Sequence, residues 1–145
     1  MKNSFLLAIS AGLFLSVSAF AHKGATGIVK ERMDNFKASQ MALKQVLAAS
    51  KRNDFDAIVP LANQIKSWAE IMPTKFPIGS DGPPSEAAPA IWADFEGFKS
   101  AAKENFEAAR FLEVTALNGD AKATAKAIKQ LAGTCKACHQ SYRSN

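Results

Sequence analysis

Apolar side chains in this chain recur at three- and four-residue steps, and no alternating pattern long enough for a strand appears after the first twenty-one residues. That single periodicity restricts the fold to packed helices. The stretch GATGIVKERMDNFKASQMALKQVLAAS places Val29, Met33, Phe36, Leu43 and Val46/Leu47 along one expected helix face. NDFDAIVPLANQIKSWAEIM follows, with Asn53 as the expected N-cap and Asp54 and Asp56 in the first turn. Its expected face is Phe55, Ile58, Ala62, Ile65, Ala69 and Met72. Pro60 fits if this helix begins near Asp56 and otherwise kinks it.

PTKFPIGSDGPPSEAAP, dense in Pro, Gly and Ser, is the one clear loop. A third helix enters near Pro89 and continues as AIWADFEGFKSAAKENFEAARFLEVTALNG. Ile91, Phe95, Phe98, Ala102, Phe106, Ala109 and Leu112 form its face, and Gly119 is the expected C′ residue. Asp120 then caps a fourth helix, AKATAKAIKQLAGTCKACHQSYR. Four amphipathic helices, short connections and one long loop define an all-α, antiparallel four-helix bundle.

Residues 1–21 read as a secretory signal rather than as part of that bundle. Lys2 precedes an apolar stretch from Phe5 to Val17, and Ala19 and Ala21 supply an A-x-A-like cleavage site. The stretch is too short to span a bilayer well. Cleavage after Ala21 leaves 145 less 21, or 124 residues (22–145), which suits one domain, and the loss of Lys2 lowers the net charge from +5 to +4. No later apolar run is long enough to cross a membrane, and no basic run interleaved with aromatics suggests nucleic acid. The expected product is an exported, periplasmic protein.

Both cysteines lie in CKACHQSYR, residues 135–143, on the last expected helix. Relative to Cys135, His139 lies about 40° round the helix, Cys138 about 60° the other way and Tyr142 about 20°. Two thiols and an imidazole therefore share one arc. C-x-x-C-H is the c-type haem attachment sequence: the thiols add across two vinyl groups and the imidazole supplies the axial nitrogen. Three other readings are weaker. A thioredoxin-type dithiol follows a strand, a zinc site wants four ligands where the mature chain offers Cys135, Cys138, His139 and distant His22, and a Cys135–Cys138 bridge would constrain the unfolded chain little.

CKACHQSYR at the C-terminus, VKERMDNFK in helix one and AIWADFEGF after the Gly/Pro-rich loop resemble the cytochrome c′ family over essentially the whole mature chain. The resemblance implies one covalent haem c inside the bundle near one end, often in a homodimer. By position it implies Arg32 as a propionate contact, Phe98 as part of the pocket wall and Arg143 beside the exposed side of the proximal His139. Arg32 also sits one turn before Phe36 on an apolar face, an odd place for an unpaired cation. The competing reading is a solvated arginine at the bundle edge.

In the family, the residue four after that arginine faces the open side of the iron, and here it is Phe36. A methionine there resembles a low-spin electron carrier; an apolar residue leaves the iron five-coordinate, high-spin and open to small gases. Phe36 has no lone pair to donate, so the resemblance implies binding of NO or CO alongside electron transfer with redox partner proteins. Met33 lies about 60° from Phe36 and by a modest rotation would make the alternative, a Met-ligated carrier. No acid/base pair, nucleophile constellation or phosphate loop stands out, so an enzyme is not expected.

Overall fold

The computed structural model describes residues 24–144. The signal segment lies outside the described residues. Five helices follow in order: α1 (Gly27–Ser50), α2 (Phe55–Ile71), the one-turn α3 (Ala90–Ala93), α4 (Phe95–Leu117) and α5 (Ala121–Tyr142). A 3₁₀ turn, Met72–Lys75, extends α2. The four long helices form the bundle, with α2 packed on α1 and α4, and α5 packed on α4. The seam between α1 and α5 is the loosest of the four.

Aspartates start three of the long helices. Asp54, Asp94 and Asp120 accept from the backbone N–H of Ala57 (3.2 Å), Gly97 (3.1 Å) and Ala123 (2.9 Å), each satisfying a donor that the first helical turn leaves orphaned. The expected cap Asn53 is displaced by one residue. It takes φ +53 in the left-handed region, which asparagine tolerates, and the turn hands the cap to Asp54. Gly119, at φ +64, ends α4 as expected. Pro60 sits inside α2, which runs unbroken through it; the proline and the Asp56 residue whose carbonyl loses a partner are both exposed, so that carbonyl is open to solvent.

The expected third helix is interrupted. Asp94, at φ −133 and ψ 62, leaves helical geometry, ends α3 and starts α4 in the same residue. Its carboxylate serves two donors, Gly97 N–H and the Tyr142 hydroxyl at 3.0 Å. Gly97 is required there, because a Cβ would fall 2.1 Å from Asp94 Oδ2 and 2.5 Å from the Tyr142 hydroxyl.

The face of α1 is also rotated from the expected one. Arg32, Ala42, Val46 and Ala49 are buried, while Leu47 is 46% exposed and Met33 is half-buried. Small side chains decide this: a line of alanines lets α1 approach its neighbours closely, and leucine would hold it off.

The core divides along the bundle axis. One half is aliphatic and alanine-rich, built on Val46, Ile58, Ile65, Leu112, Ile128 and Leu131. The other is aromatic, with Trp68, Phe76, Phe98, Met72 and Ile91 at its centre and Phe36, Trp92, Cys138 and Tyr142 packed against it. The C-terminal end of α5 lies at this aromatic half and is tied to the long loop. Ala88 N–H donates to Tyr142 O (3.0 Å), and Ser144 N–H donates to Glu86 O (2.8 Å).

Candidate functional site

The Phe36 and His139 rings lie 6.4 Å apart, centre to centre, across the loose α1/α5 seam. Phe36 also meets Trp68 edge-on at 5.2 Å and Phe76 at 6.4 Å. Phe98 is buried and packs between Phe76 (4.8 Å) and Tyr142 (5.4 Å). Trp92 closes the same wall and donates from Nε1 to Phe76 O at 3.0 Å. One wall of this space is therefore rigid aromatic surface, and the facing helix carries the thiols and the imidazole.

Cys135 and Cys138 are both half-buried and unbridged. Their environments differ. Asn105, itself buried, donates from Nδ2 to Thr134 Oγ1 at 2.9 Å and to Cys135 Sγ at 3.5 Å. Cys138 packs against the aromatic half of the core. Burial raises the Cys135 pKa, with the Asn105 hydrogen bond opposing it. Burial, the neighbouring Cys135 and Glu104 push Cys138 up to about 11. Both are thiols rather than thiolates at neutral pH.

His139 is exposed at the rim, in a shallow groove with Glu86, Lys136, Gln140, Arg143 and Ser144. Its pKa is lowered, by burial first and by the positive Arg143 second, with Glu86 opposing. The imidazole is thus held neutral, with a ring nitrogen available to a metal. Arg143 is held beside it by Glu86, which accepts from Arg143 Nε at 2.7 Å.

Arg32 is 2% exposed, which removes the reading of a solvated cation at the bundle edge. Its guanidinium lies 4.4 Å above the centre of the Phe76 ring. Its terminal nitrogens donate to Lys75 O, Ser80 Oγ, Ser80 O and Ser85 Oγ, so it fastens the long loop onto α1. Desolvation lowers its pKa and Asp81 offsets that.

Sequence reasoning missed Asn105 and left Tyr142 without a partner. The signal for Asn105 is a lone amide on the buried side of α4; the partner of Tyr142 is Asp94, 48 residues away, and no local pattern reveals it. Among the described residues no three His, Cys, Asp or Glu side chains group around a metal position, and His22 lies outside the described residues.

These residues fit a porphyrin. Both thiols are reduced and share an arc with a neutral imidazole, the α1/α5 seam that Phe36 and His139 meet across is the least packed in the bundle, and the buried Trp68 Nε1 beside Phe36 has no hydrogen-bond partner. A helical bundle built round such a seam is a c-type haem protein.

Comparison with known proteins takes the class to a family. The cytochrome c′ family model matches residues 27–143, and the chain belongs to that family. The cofactor is accordingly haem c, bound covalently. A cytochrome c′ of Rhodospirillum rubrum is 33% identical over the full length of both chains. A cytochrome c-556 of Agrobacterium fabrum is 37% identical over 82% of each. The crystal structure of cytochrome c′ from Thermochromatium tepidum superposes with a TM-score of 0.76, covering 81% of this chain and 95% of that one at 23% identity, which establishes the shared bundle. Among the described residues, no helix is long and apolar enough to cross a membrane.

Proposed function

We propose that this chain is an exported periplasmic haem protein whose iron is five-coordinate and open to small uncharged gases. Cys135 and Cys138 carry the thioether bonds, and His139 supplies the axial nitrogen. Bound there, haem c supplies an iron centre for one-electron transfer and for binding NO or CO. Phe36 would cover the opposite side, where its ring offers no donor atom and excludes water. Phe98 and Trp92 support the wall behind Phe76. Arg32 is held with Ser80 and Ser85 over the Phe76 ring; a buried guanidinium among neutral oxygens suits a propionate carboxylate as an additional partner. Burial, and the charge of Arg143 after it, favour the unprotonated imidazole.

The observation that carries this reading is the 6.4 Å approach of the Phe36 and His139 rings, made by a side chain that cannot ligate. The alternative, a Met-ligated carrier, requires Met33 to displace Phe36 from that position. An absorption spectrum of the purified protein with and without CO tests the choice. The expected result is haem retained after denaturation, a high-spin spectrum at neutral pH and CO uptake with no protein ligand displaced. A low-spin spectrum whose sixth ligand disappears in Met33→Leu establishes the alternative instead. A colourless protein of unmodified mass overturns both.

A further inference from the structure

The charges of this chain are segregated along the sequence. From residue 35 to residue 53 there are four cations, Lys37, Lys44, Lys51 and Arg52, and no acid. From residue 121 to the C-terminus there are five, Lys122, Lys126, Lys129, Lys136 and Arg143, again with no acid. Residues 54–120 reverse the balance, with eleven Asp and Glu against five Lys and Arg. The net charge of +4 on the mature chain conceals this separation of basic and acidic parts.

Folding brings the two basic segments together. They are the outer surfaces of α1 and α5, the neighbours that flank the loose seam. All nine cations are exposed. Lys37, Lys44 and the C-cap Lys51 repeat every seven residues and so lie along one line of α1 and its end. Lys122, Lys126, Lys129 and Lys136 fall within about 80° of one another on α5, opposite the buried Thr124, Ala127, Ile128 and Leu131. Lys136 and Arg143 line the groove that holds His139.

Pairing separates this face from an ordinary solvated surface. Elsewhere most cations are compensated, Lys30 with Asp34, Lys75 with Glu31, Lys66 with Glu113, Lys99 with Glu96 and Arg110 with Glu107, and Lys103 is the one exposed lysine there without an acidic partner among the described residues. On the basic face, among the described residues, none of the seven lysines has an acidic partner; only Arg52 and Arg143 do. Seven uncompensated like charges on one side repel one another and are favourable only when something negative comes to them.

We infer that the α1/α5 face is a docking surface for an acidic protein partner, which it steers to the edge of the seam beside His139. That partner is the electron donor or acceptor of the proposed function, and its role rests on that reading; the charged face itself does not. A protein surface is favoured over a lipid one because no large apolar side chain is exposed on α5, so that half of the face has nothing to insert into a bilayer.

The test titrates the holoprotein with poly-L-glutamate at low salt, following amide shifts and affinity. The expected outcome is binding whose shifts fall on α1 and α5. It should weaken about tenfold in Lys126→Glu with Lys129→Glu, and about twofold or less in the control Lys99→Glu with Lys103→Glu on α4, which changes the net charge equally. Equal weakening by both pairs would reduce the effect to net charge and overturn the inference. So would absence of binding, or binding to phosphatidylglycerol vesicles without binding to poly-L-glutamate. A colourless preparation would refute the haem reading and leave this measurement standing; a coloured one that ignores the polyanion would refute only this inference.

Discussion

Phe36 of α1 and His139 of α5 are separated by 103 residues in sequence and by 6.4 Å between ring centres. This contact places an inert aromatic ring opposite the candidate iron ligand. Replacing the ring with a thioether is therefore the most direct perturbation. Phe36→Met is expected to convert a high-spin spectrum to a low-spin one and raise the reduction potential, because Met donates where Phe cannot. Met33→Leu is expected to leave the spectrum unchanged. Absorption and electron paramagnetic resonance spectra decide both, and a low-spin wild type would sink the assignment.

Asn105 ties α4 to the attachment segment of α5 through Thr134 and Cys135. Asn105→Leu removes a buried amide and leaves Thr134 Oγ1 with only its bond to Leu131 O. A loss of about 1–3 kcal/mol is expected from an urea titration. The same variant should also lower the yield of covalently attached haem, since Cys135 loses its restraint; an unchanged yield together with unchanged stability would show that the amide positions nothing.

The thiols give the haem-free chain a distinctive pH response. Cys138 is held up to about 11, above its ordinary 9.0, by burial and by neighbouring negative charge. A raised pKa means that the folded state holds its proton longer than the unfolded one. That contribution to stability is complete below 9.0 and disappears as pH rises through about 11. Alkylation of the folded apoprotein by iodoacetamide should therefore keep accelerating well past pH 9. A plateau near the ordinary thiol value would contradict the burial of Cys138.

Lys66 of α2 and Glu113 of α4 form a partly buried ion pair, with Asn63 also donating to Glu113 at 3.1 Å. The Lys66 hydrogen bond is the main cause holding the Glu113 pKa below its ordinary 4.5. A depressed carboxylate stabilises the fold above 4.5, and that contribution fades as pH falls through the lower folded value. Glu113→Gln should cost about 1 kcal/mol at neutral pH. The gap from wild type should close in acid, as followed by thermal unfolding across pH; a gap independent of pH would mean that charge is not what Glu113 contributes.

The spacing of Cys135, Cys138 and His139 pointed to haem attachment in the sequence itself, because side chains so close along one helix need no distant residue to bring them together. Helix periodicity, the Asp120 cap and the Gly119 terminator were legible for the same reason: each acts over four residues or fewer. Tertiary packing decided the rest. It turned Arg32 inward and Leu47 outward, since alanines set how closely α1 can approach its neighbours. It broke the third helix at Asp94 to meet Tyr142, it paired Arg143 with Glu86, and it left the α1/α5 seam loose beside an aromatic wall. Those outcomes depend on which segments of a 145-residue chain meet, and at what register. Local spacing carries no record of either, because the energy that selects them comes from contacts between helices rather than within one.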